Sequence, residues 1–584
     1  MQKGGRFLTE ETNVEGVFTP EDFSEEHTMI AELTSSFVKQ KVMPHLAEME
    51  DHQFSVAKQL MKEAGELGLL SSDIPEIYGG MGLDKISSAV ISEKMAAAGG
   101  FSVTHSAHTG IGSLPIVLFG NKKQKEKYLP KLASGEMIAS YALTEPTAGS
   151  DALSVKSSAL LNKDGTHYIL SGEKQWITNS GIADLFIVYA KVNQEHFTAF
   201  IVEKDFKGVS VGKEERKLGI RSSSTCAVRF NQVLVPVENV LGEVGKGHLI
   251  AFNILNIGRF KLGIGAVGAS KEALKKTIDY ISKRKQFSTP ISQFPLTHEK
   301  IATMATRIYA AESSVYRTAG LLSHSMDALP IDETLLNMAK TINEYVIECS
   351  INKVFASEVL DMVVDECVQL HGGNGFMEDF DITRMYRDSR INRIFEGTNE
   401  INRLLIPGTL LKKSLKGDLP LLTLARKLEK EAFSYLPKEP DWKPLAQEKM
   451  LLKNAKNISY ILLGMAAQKY QLKLEEQQEI MVNMANIVSA IYNMDSCIAR
   501  TEKTRKVTGK EETLKLLYTE IFCQEAFQEV VAEAIDTLSF MLRGDELRVA
   551  LSILKKYSRY NPKSMILLKR EVAKEILTTR EYTV

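Results

Sequence analysis

Residues 393–400 read Arg-Ile-Phe-Glu-Gly-Thr-Asn-Glu, which places one carboxylate between an aromatic side chain and a glycine. In that setting Glu396 can reach an apolar cleft, where loss of water raises a carboxylate pKa into the range useful for a general base. A surface glutamate in an ordinary turn would show the same local pattern. The segment therefore predicts a base at Glu396 only if other segments supply the rest of a site.

Three further segments have the composition of a binding site. Residues 141–151, Tyr-Ala-Leu-Thr-Glu-Pro-Thr-Ala-Gly-Ser-Asp, offer small and hydroxyl side chains to a polar ring edge or a phosphate. Residues 174–181, Lys-Gln-Trp-Ile-Thr-Asn-Ser-Gly, combine a tryptophan that can stack on an aromatic cofactor with a nearby threonine. Residues 369–376, Gln-Leu-His-Gly-Gly-Asn-Gly-Phe, permit positive φ and close backbone approach. Taken singly, each segment also fits a purely structural role as a turn, a strand or a helix cap.

Around these segments, hydrophobic periodicity changes several times along the chain. Apolar residues at three- and four-residue spacing predict helices in the first and later parts, whereas short β-branched and aromatic runs between Gly, Asn and Asp predict strands in residues 140–245. Pro407-Gly408 and a stretch containing Pro420, Pro437, Pro440 and Pro444 indicate the end of one helical block and a linker with some local helix. The expected fold is α+β and mostly α, with parts at 1–139, 140–245, 246–411, 412–445 and 446–584.

Composition excludes several classes of function. The 584 residues contain 72 Lys and Arg against 73 Asp and Glu, which does not indicate a nucleic-acid-binding protein. The five cysteines are scattered without a CxxC pair, which favours a reducing compartment, and we expect no metal. Residues 1–16 contain no apolar signal core, so we expect a cytoplasmic protein.

The four segments occur in the same order, and at similar separations, in the acyl-CoA dehydrogenase family, which the chain resembles from about Glu25 to Leu411. Its length, its extra helical region and residues 128–136 and 239–245 look most like the very-long-chain branch. The resemblance implies an N-terminal helical domain, a central β-barrel and a C-terminal four-helix bundle, followed here by an additional C-terminal helical domain. It also implies FAD as cofactor, a homodimer, and oxidation of long-chain fatty acyl-CoA to trans-2-enoyl-CoA in fatty-acid β-oxidation. Electron-transfer flavoprotein is the implied acceptor.

The resemblance also assigns roles to individual residues by motif position. Glu396 is the implied base, and the alternative base position of the family falls on Gly258, which has no carboxylate. The residues implied to contact the flavin are Tyr141, Leu143, Thr144, Trp176 and Thr178. The ADP portion is implied to be held by Arg284, Gln286 and Phe287. FAD of the neighbouring subunit is implied to be reached by Gln369, Leu370, Gly372 and Gly373. Its adenosine side is implied to be contacted by Thr398 and Glu400. The residues implied to bind acyl-CoA are Ser150, Asn256, Arg259 and Gly397.

Two positions depart from the family pattern. Ser288 stands where Gly usually follows Arg-x-Gln-Phe, in the loop implied to lie under the ADP moiety. Pro115 stands where the very-long-chain branch has Gly, in the helix implied to flank the acyl tail, so it bears on chain-length preference. Gly110 and Gly112 nearby are small.

Alternatives remain for the activity and for the last domain. An oxidase on the same fold would pass electrons to oxygen, and a non-catalytic binding protein would lack the intact site residues Glu396, Trp176 and Arg259. Residues 555–574 interleave lysines and arginines with apolar residues, which fits either a solvated face on a packed helix or weak peripheral contact with an anionic membrane.

Overall fold

The computed structural model describes residues 3–326, 329–330, 333–432, 434–436, 443–509 and 513–584, so Pro437 and Pro440 of the predicted linker lie outside the described residues. The first domain is helical, and the side chains of N-cap residues stabilise the starts of two of its helices. Ser24 accepts the His27 N–H at 3.2 Å, and Asp84 accepts the Ser87 N–H at 2.7 Å. Its helices are α1 (Glu25–Phe37), α2 (Leu46–Glu50), α3 (Phe54–Glu66), α4 (Lys85–Met95), α5 (Gly100–Ser106), α6 (Leu114–Phe119) and α7 (Lys122–Ala133).

Eight strands form the second domain, in the part of the chain where the sequence predicted strands. The strands are β1 (Ala139–Ala142), β2 (Ser158–Leu161), β3 (His167–Thr178), β4 (Leu185–Val192), β5 (His196–Glu203), β6 (Val209–Glu214), β7 (Thr225–Pro236) and β8 (Val240–Leu241). Their hydrogen-bonded order is β6-β7-β3-β2-β4-β5-β8, and β1 pairs in parallel with β4. β1 and β2 share one edge of β4, which places the end of β1 beside the strand that carries Trp176.

The sheet is strongly curled, as the expected barrel requires. Tyr168 on β3 and Phe200 on β5 have ring centroids 5.4 Å apart, although β2 and β4 lie between their strands in the sheet. Neighbouring strands are separated by about 4.8 Å, so a flat sheet would hold these strands about 14 Å apart. The buried residues of the two strands therefore face each other across one small core.

The third part is a helical bundle that contains the Glu396 segment. Its helices are α8 (Gly247–Lys283), α9 (Pro295–Met326), α10 (Leu335–Asn343), α11 (Val346–His371), α12 (Asp381–Ser389) and α13 (Asn399–Leu415), and a short hairpin of β9 (Lys285–Gln286) and β10 (Thr289–Pro290) follows α8. Within the described residues, α8 alone is long and apolar enough to cross a membrane, but 78% of its most apolar stretch is buried inside the protein. It is the central helix of the bundle.

The sequence prediction of a break at Pro407-Gly408 was wrong, because both residues lie inside α13, which continues to Leu415. An interior proline costs a helix about 3 kcal/mol, since it removes an N–H and its ring crowds the preceding turn. Here Pro407 is buried and lies beside Tyr460 and Met484 of the C-terminal domain. The pattern of the sequence does not show that the C-terminal domain packs against this part of α13.

The C-terminal helices pack directly on the bundle. They are α14 (Leu421–Glu431) within the predicted linker, then α15 (Ala446–Tyr470), α16 (Gln478–Thr508), α17 (Thr513–Met541), α18 (Gly544–Tyr557) and α19 (Met565–Thr579). α16, α17 and α19 all contact α9. Buried hydrogen bonds join Tyr309 to Thr501 at 2.7 Å and Thr318 to the Tyr492 hydroxyl at 2.8 Å.

Candidate active site

A cavity of about 160 Å³ opens between the N-terminal helices and the bundle. Glu396, Gly258 and Thr178 border it, so it brings together residues from the bundle and from the end of β3. Part of its wall is made of small side chains, which leave room for an extended apolar ligand: Ala96, Ala97, Gly99, Ala107 and Gly110. Gly110 lies in the π-helical turn Ala107–Gly112 that follows α5.

The Glu396 carboxylate faces α8 within this cavity. A Cβ placed on Gly258 would lie 2.6 Å from its Oε2, so no side chain larger than hydrogen fits at that position without moving the carboxylate. Oε2 is buried and has no hydrogen-bond partner among the described residues. Burial raises the pKa of Glu396 to about 7, although the positive charges of Arg259 and Lys353 act in the opposite direction. The carboxylate can therefore take up a proton near neutral pH.

The backbone around Glu396 adopts a conformation that side chains from other helices hold. Glu396 has φ 57°, a region that non-glycine residues rarely occupy, and Gly397 has φ 78°. Arg259 donates from Nε to the Glu396 carbonyl at 3.1 Å, and Asn402 donates to the Gly397 carbonyl at 2.9 Å. Lys353 also donates from Nζ to the Gly397 carbonyl, at 2.8 Å. Side chains from three helices thus hold the backbone that carries the carboxylate.

Three of the four acyl-CoA residues predicted from the sequence, Asn256, Arg259 and Gly397, belong to this arrangement, and one does not. Asn256 accepts a hydrogen bond at 2.8 Å from Nη1 of Arg259, so the two residues form one unit on α8. Gly397 follows Glu396 directly. Ser150, by contrast, is exposed in the loop after β1 and does not border the cavity.

The residues predicted to contact the flavin come from two segments that lie side by side. Gln175 donates its N–H to the Thr144 carbonyl at 2.9 Å, and Lys174 donates from Nζ to the Leu143 carbonyl at 3.1 Å. Tyr141 is buried; burial raises its pKa well above the usual value, and its hydroxyl has no hydrogen-bond partner among the described residues. Trp176, with φ 58°, is 61% exposed.

The remaining predicted cofactor residues form a second, exposed group at the far ends of α8 and α11. Tyr280 near the end of α8 stacks on His371 at the end of α11 with ring centroids 4.2 Å apart, which joins the hairpin to the Gly-rich turn. Leu370 alone of this group is buried. The exposed members, none of which borders the Glu396 cavity, are Arg284, Gln286, Phe287, Gln369, Gly372 and Gly373.

Thr398 and Glu400 lie at the start of α13. Thr398 is the N-cap, and its hydroxyl accepts the Ile401 N–H at 3.2 Å, which is a structural role independent of any ligand. Glu400 is exposed, and hydrogen bonds from its own backbone and from Thr398 lower its pKa.

Sequence reasoning missed Lys353 and Asn402, which hold the Glu396 loop. Lys353 is fully buried, and burial lowers its pKa to about 7 against the opposing effect of Glu396. A signal for it existed, because Ser350-Ile-Asn-Lys-Val-Phe355 places one lysine among residues of a buried helix, and a buried lysine requires a partner. Nothing in the sequence identified that partner as a carbonyl 44 residues later.

Residues of β1, of the end of β3 and of the hairpin after α8 fit FAD on their own chemistry. The exposed Trp176 offers a stacking surface to an aromatic ring. Thr178, two positions later, and the buried Tyr141 hydroxyl, which has no hydrogen-bond partner among the described residues, offer it hydrogen-bonding groups. The exposed Phe287 and Arg284 offer the same combination to a nucleotide. FAD combines both parts in one molecule.

Family models match most of the chain. The N-terminal domain of acyl-CoA dehydrogenases matches residues 24–136, the middle domain 140–233 and the C-terminal domain 245–411. A further model, also described as an acyl-CoA dehydrogenase C-terminal domain, matches residues 454–556. The helices beyond the linker therefore also have counterparts among acyl-CoA dehydrogenases.

Individual relatives agree with the family models. A probable acyl-CoA dehydrogenase of Bacillus subtilis (strain 168) is 56% identical over 587 residues, which cover all of this chain and 99% of the relative. The mitochondrial very long-chain specific acyl-CoA dehydrogenase of Bos taurus is 43% identical over 361 residues, 60% of this chain and 53% of that protein. The crystal structure of an acyl-CoA dehydrogenase complexed with FAD from Bacillus anthracis superposes with a TM-score of 0.98 at 58% identity, with both chains covered completely. The protein belongs to the acyl-CoA dehydrogenase family and is an FAD-dependent oxidoreductase that acts on acyl-CoA.

Proposed function

We propose that this dehydrogenase oxidises long-chain fatty acyl-CoA to trans-2-enoyl-CoA in fatty-acid β-oxidation, with Glu396 as the base that removes the α-proton. The carrying observation is the Glu396 carboxylate, which borders the cavity and whose pKa burial raises to about 7. Its Oε2 is buried and has no hydrogen-bond partner among the described residues. A base works best with a pKa near the working pH, because it then combines a useful ionised fraction with proton affinity.

In this proposal, the chain's residues bind, orient and move one proton. Glu396 takes the α-proton onto its carboxylate, and the electron pair of the broken Cα–H bond forms the new double bond as hydride leaves Cβ. Bound FAD supplies the hydride acceptor. Arg259, Lys353 and Asn402 keep the carboxylate aimed at one point, which avoids reorientation during the reaction.

The preference for long chains rests on the small residues of the cavity wall. Pro115, which departs from the family pattern, is buried at the start of α6 and does not border the cavity, so it leaves the acyl path free. Anaerobic titration of the flavin absorbance with acyl-CoAs from C4 to C20 tests the preference. Complete bleaching by C14–C18 substrates supports it, and bleaching confined to C4–C6 substrates contradicts it.

We propose electron-transfer flavoprotein, rather than oxygen, as the electron acceptor. The competing activity is an acyl-CoA oxidase, which would reduce oxygen at each turnover. Oxygen uptake by the purified enzyme with acyl-CoA, compared with reduction of added electron-transfer flavoprotein, separates the two. Oxygen consumption at the full turnover rate would contradict the dehydrogenase proposal.

We propose a homodimer with FAD held partly by the second subunit. The supporting observation is the exposed group on the hairpin and the Gly-rich turn, where Phe287 is 91% exposed and Gln369 and Gly373 are also exposed. Such residues could contact a cofactor or a second chain rather than their own core. Light scattering tests the proposal, and a stable monomer that retains FAD would refute the shared site.

We propose a cytoplasmic enzyme whose C-terminal domain is mainly structural, with at most weak peripheral membrane contact. Lys563 pairs with Glu448 and Glu520, and Lys569 pairs with Glu525, so part of the basic charge serves the fold. Ile566 and Leu567 are exposed on α19 and leave a small apolar patch. Flotation with anionic liposomes at low salt tests the contact, and a protein that stays with the soluble fraction contradicts it.

A further inference from the structure

A continuous chain of hydrogen bonds leads from the catalytic loop to the C-terminal domain. It begins at Lys353, which donates from Nζ to the Gly397 carbonyl at 2.8 Å and to Asn399 Oδ1 at 2.7 Å. Asn399, the first residue of α13, donates from Nδ2 to Glu358 on α11 at 3.0 Å. The lysine and the asparagine are buried, so these contacts have little competition from water.

The second half of the chain crosses the boundary between the domains. Arg403 donates from Nη1 and Nη2 to the two carboxylate oxygens of Glu358 at 2.7 and 2.8 Å. Its Nε donates to Asn486 Oδ1 on α16 at 2.7 Å, and Asn486 donates in turn to Glu533 on α17 at 2.8 Å. The planar guanidinium is therefore fixed on two edges, and a bidentate pair of this kind imposes direction as well as energy.

We propose that Asn486 is a positioning residue for catalysis: it fixes Arg403, and through Glu358, Asn399 and Lys353 it holds the Gly397 carbonyl beside Glu396. The proposal rests on Glu396 as the base. It gives the C-terminal domain a part in the chemistry through a contact some 90 residues beyond the base in sequence. Asn486 touches no reacting atom and acts only through the residues between.

The geometry explains why one amide can affect the loop. Glu396 and Gly397 have φ 57° and 78°, so this segment persists only while its surroundings hold it. A cleft of about 440 Å³ borders Arg403, Asn486 and Glu533. Without the Asn486 amide, the arginine side chain has room to swing into this cleft, and Glu358 and Asn399 lose a fixed partner.

A matched control lies one turn away on the same helix. Asn483 also donates from its amide to α17, to Asp536 at 2.9 Å and to the Thr537 hydroxyl at 3.2 Å. Unlike Asn486, it has no contact with Arg403 among the described residues. Asn483→Ala therefore removes a similar link between α16 and α17 and leaves the chain to Glu396 intact.

The test compares anaerobic flavin reduction in the FAD-loaded variants Asn486→Ala and Asn483→Ala. We expect Asn486→Ala to lower the limiting rate of reduction about three- to tenfold while the acyl-CoA dissociation constant stays within about twofold, because orientation and not binding is lost. Asn483→Ala should retain the wild-type rate. Equal rates for Asn486→Ala and wild type, or equal losses in both variants, would overturn the proposal.

Rescue separates positioning from general destabilisation. In the double variant Asn486→Asp/Glu533→Gln, the carboxylate at position 486 accepts a hydrogen bond from Arg403. The amide at position 533 donates a hydrogen bond to that carboxylate, so the limiting rate should recover. A folded double variant as slow as Asn486→Ala would refute the chain of hydrogen bonds.

If Asn486→Ala loses FAD, Arg403→Lys takes its place in the test. This variant keeps the positive charge opposite Glu358 but lacks the Nε–H, so it must show the same loss of rate. Glu396→Gln, run in parallel, tests the base itself: normal reduction by that variant would refute the proposed function rather than the chain.

Discussion

Gly258 lies directly against the Glu396 carboxylate, and a Cβ at Gly258 would come within 2.6 Å of Oε2 and 2.8 Å of Cδ. The two positions at which the family resemblance places a base therefore converge on the same point in space. Hydrogen at position 258 leaves that point to the glutamate. The geometry of the base therefore depends on the space left by the missing side chain of Gly258 as well as on the contacts that hold the Glu396 backbone.

Gly258→Ala should displace Glu396 and slow flavin reduction at least about tenfold, because a misplaced catalytic group loses rate steeply with distance. Gly265→Ala is the control. It borders the same cavity on the same helix, but its Cβ would meet no atom within 4 Å. Stopped-flow reduction with one acyl-CoA compares the two. A Gly258→Ala enzyme as fast as Gly265→Ala would show that the carboxylate tolerates displacement.

The pH dependence of flavin reduction should follow the ionisation of Glu396. Burial raises its pKa to about 7, and only the ionised form can accept the α-proton. The limiting rate should therefore rise with pH through about 7 and level off above it. Rates measured from pH 5.5 to 8.5, with FAD absorbance recorded before each mixing, check this. A constant rate across that range would contradict a base with a raised pKa.

The same raised pKa predicts a cost in stability. A buried acid whose pKa is higher in the folded state binds its proton more tightly there. Its ionisation therefore begins to destabilise the fold once the pH exceeds the pKa of the unfolded state, and the effect is largest above pH 7. Glu396→Gln should therefore increase the free energy of unfolding at pH 8 by on the order of 1–3 kcal/mol and raise Tm accordingly. This increase in stability should shrink as pH falls toward 5. Thermal unfolding of the two FAD-loaded proteins measures it. A lower Tm for the variant at pH 8 would contradict the burial of the charge.

A buried ionic cluster joins the N-terminal segment, the bundle and the C-terminal domain. Arg500 on α16 pairs with Glu312 at 2.7 Å and with Glu21 at 2.8 Å, and Glu312 also pairs with Lys271. Burial would raise the pKa of Glu312, but Lys271 and Arg500 outweigh it and hold the pKa well below its usual value. This acid therefore contributes stability above its unfolded pKa, and the contribution is lost as pH falls through the folded one.

Arg500→Met should lower the free energy of unfolding by about 3–5 kcal/mol at pH 7, because it leaves buried carboxylates without their partner. The deficit should shrink in acid, where the carboxylates become protonated. Arg548→Met removes an exposed pair with Asp545 and should change stability by less than about 1 kcal/mol. Denaturant titrations of both variants check this, and equal effects would show that the cluster adds nothing beyond a surface pair.

Sequence motifs predicted part of the geometry of the site, but not the contacts that hold it. The Phe395-Glu-Gly397 context predicted a carboxylate in an apolar cleft, and the structure places Glu396 there with a raised pKa. The segments around Tyr141 and Trp176 were predicted to act together, and the backbone bond from Gln175 to the Thr144 carbonyl joins them. The change of periodicity between residues 1–139 and 140–245 likewise predicted where helices give way to the sheet, which starts at Ala139.

The sequence patterns did not predict contacts between residues that are far apart in the chain. Lys353 meets Gly397 only because α11 and the loop before α13 pack side by side. The helix through Pro407 depends on packing against the C-terminal domain, whereas the local pattern predicted a break. Ser288, in place of the usual glycine, adopts φ 61° in the hairpin turn, a strain that the sequence flagged only as a departure.

Anaerobic reduction of the flavin in Glu396→Gln with a long-chain acyl-CoA tests most directly whether Glu396 is the base. Glu348→Gln is the control, because Glu348 is also a buried carboxylate with a raised pKa, but it accepts the Gly5 N–H at 2.7 Å and does not border the cavity. Both variants should retain FAD. Glu396→Gln should be slower than wild type by at least about a hundredfold, and Glu348→Gln should bleach at nearly the wild-type rate. Near-normal bleaching by Glu396→Gln would contradict its assignment as the base.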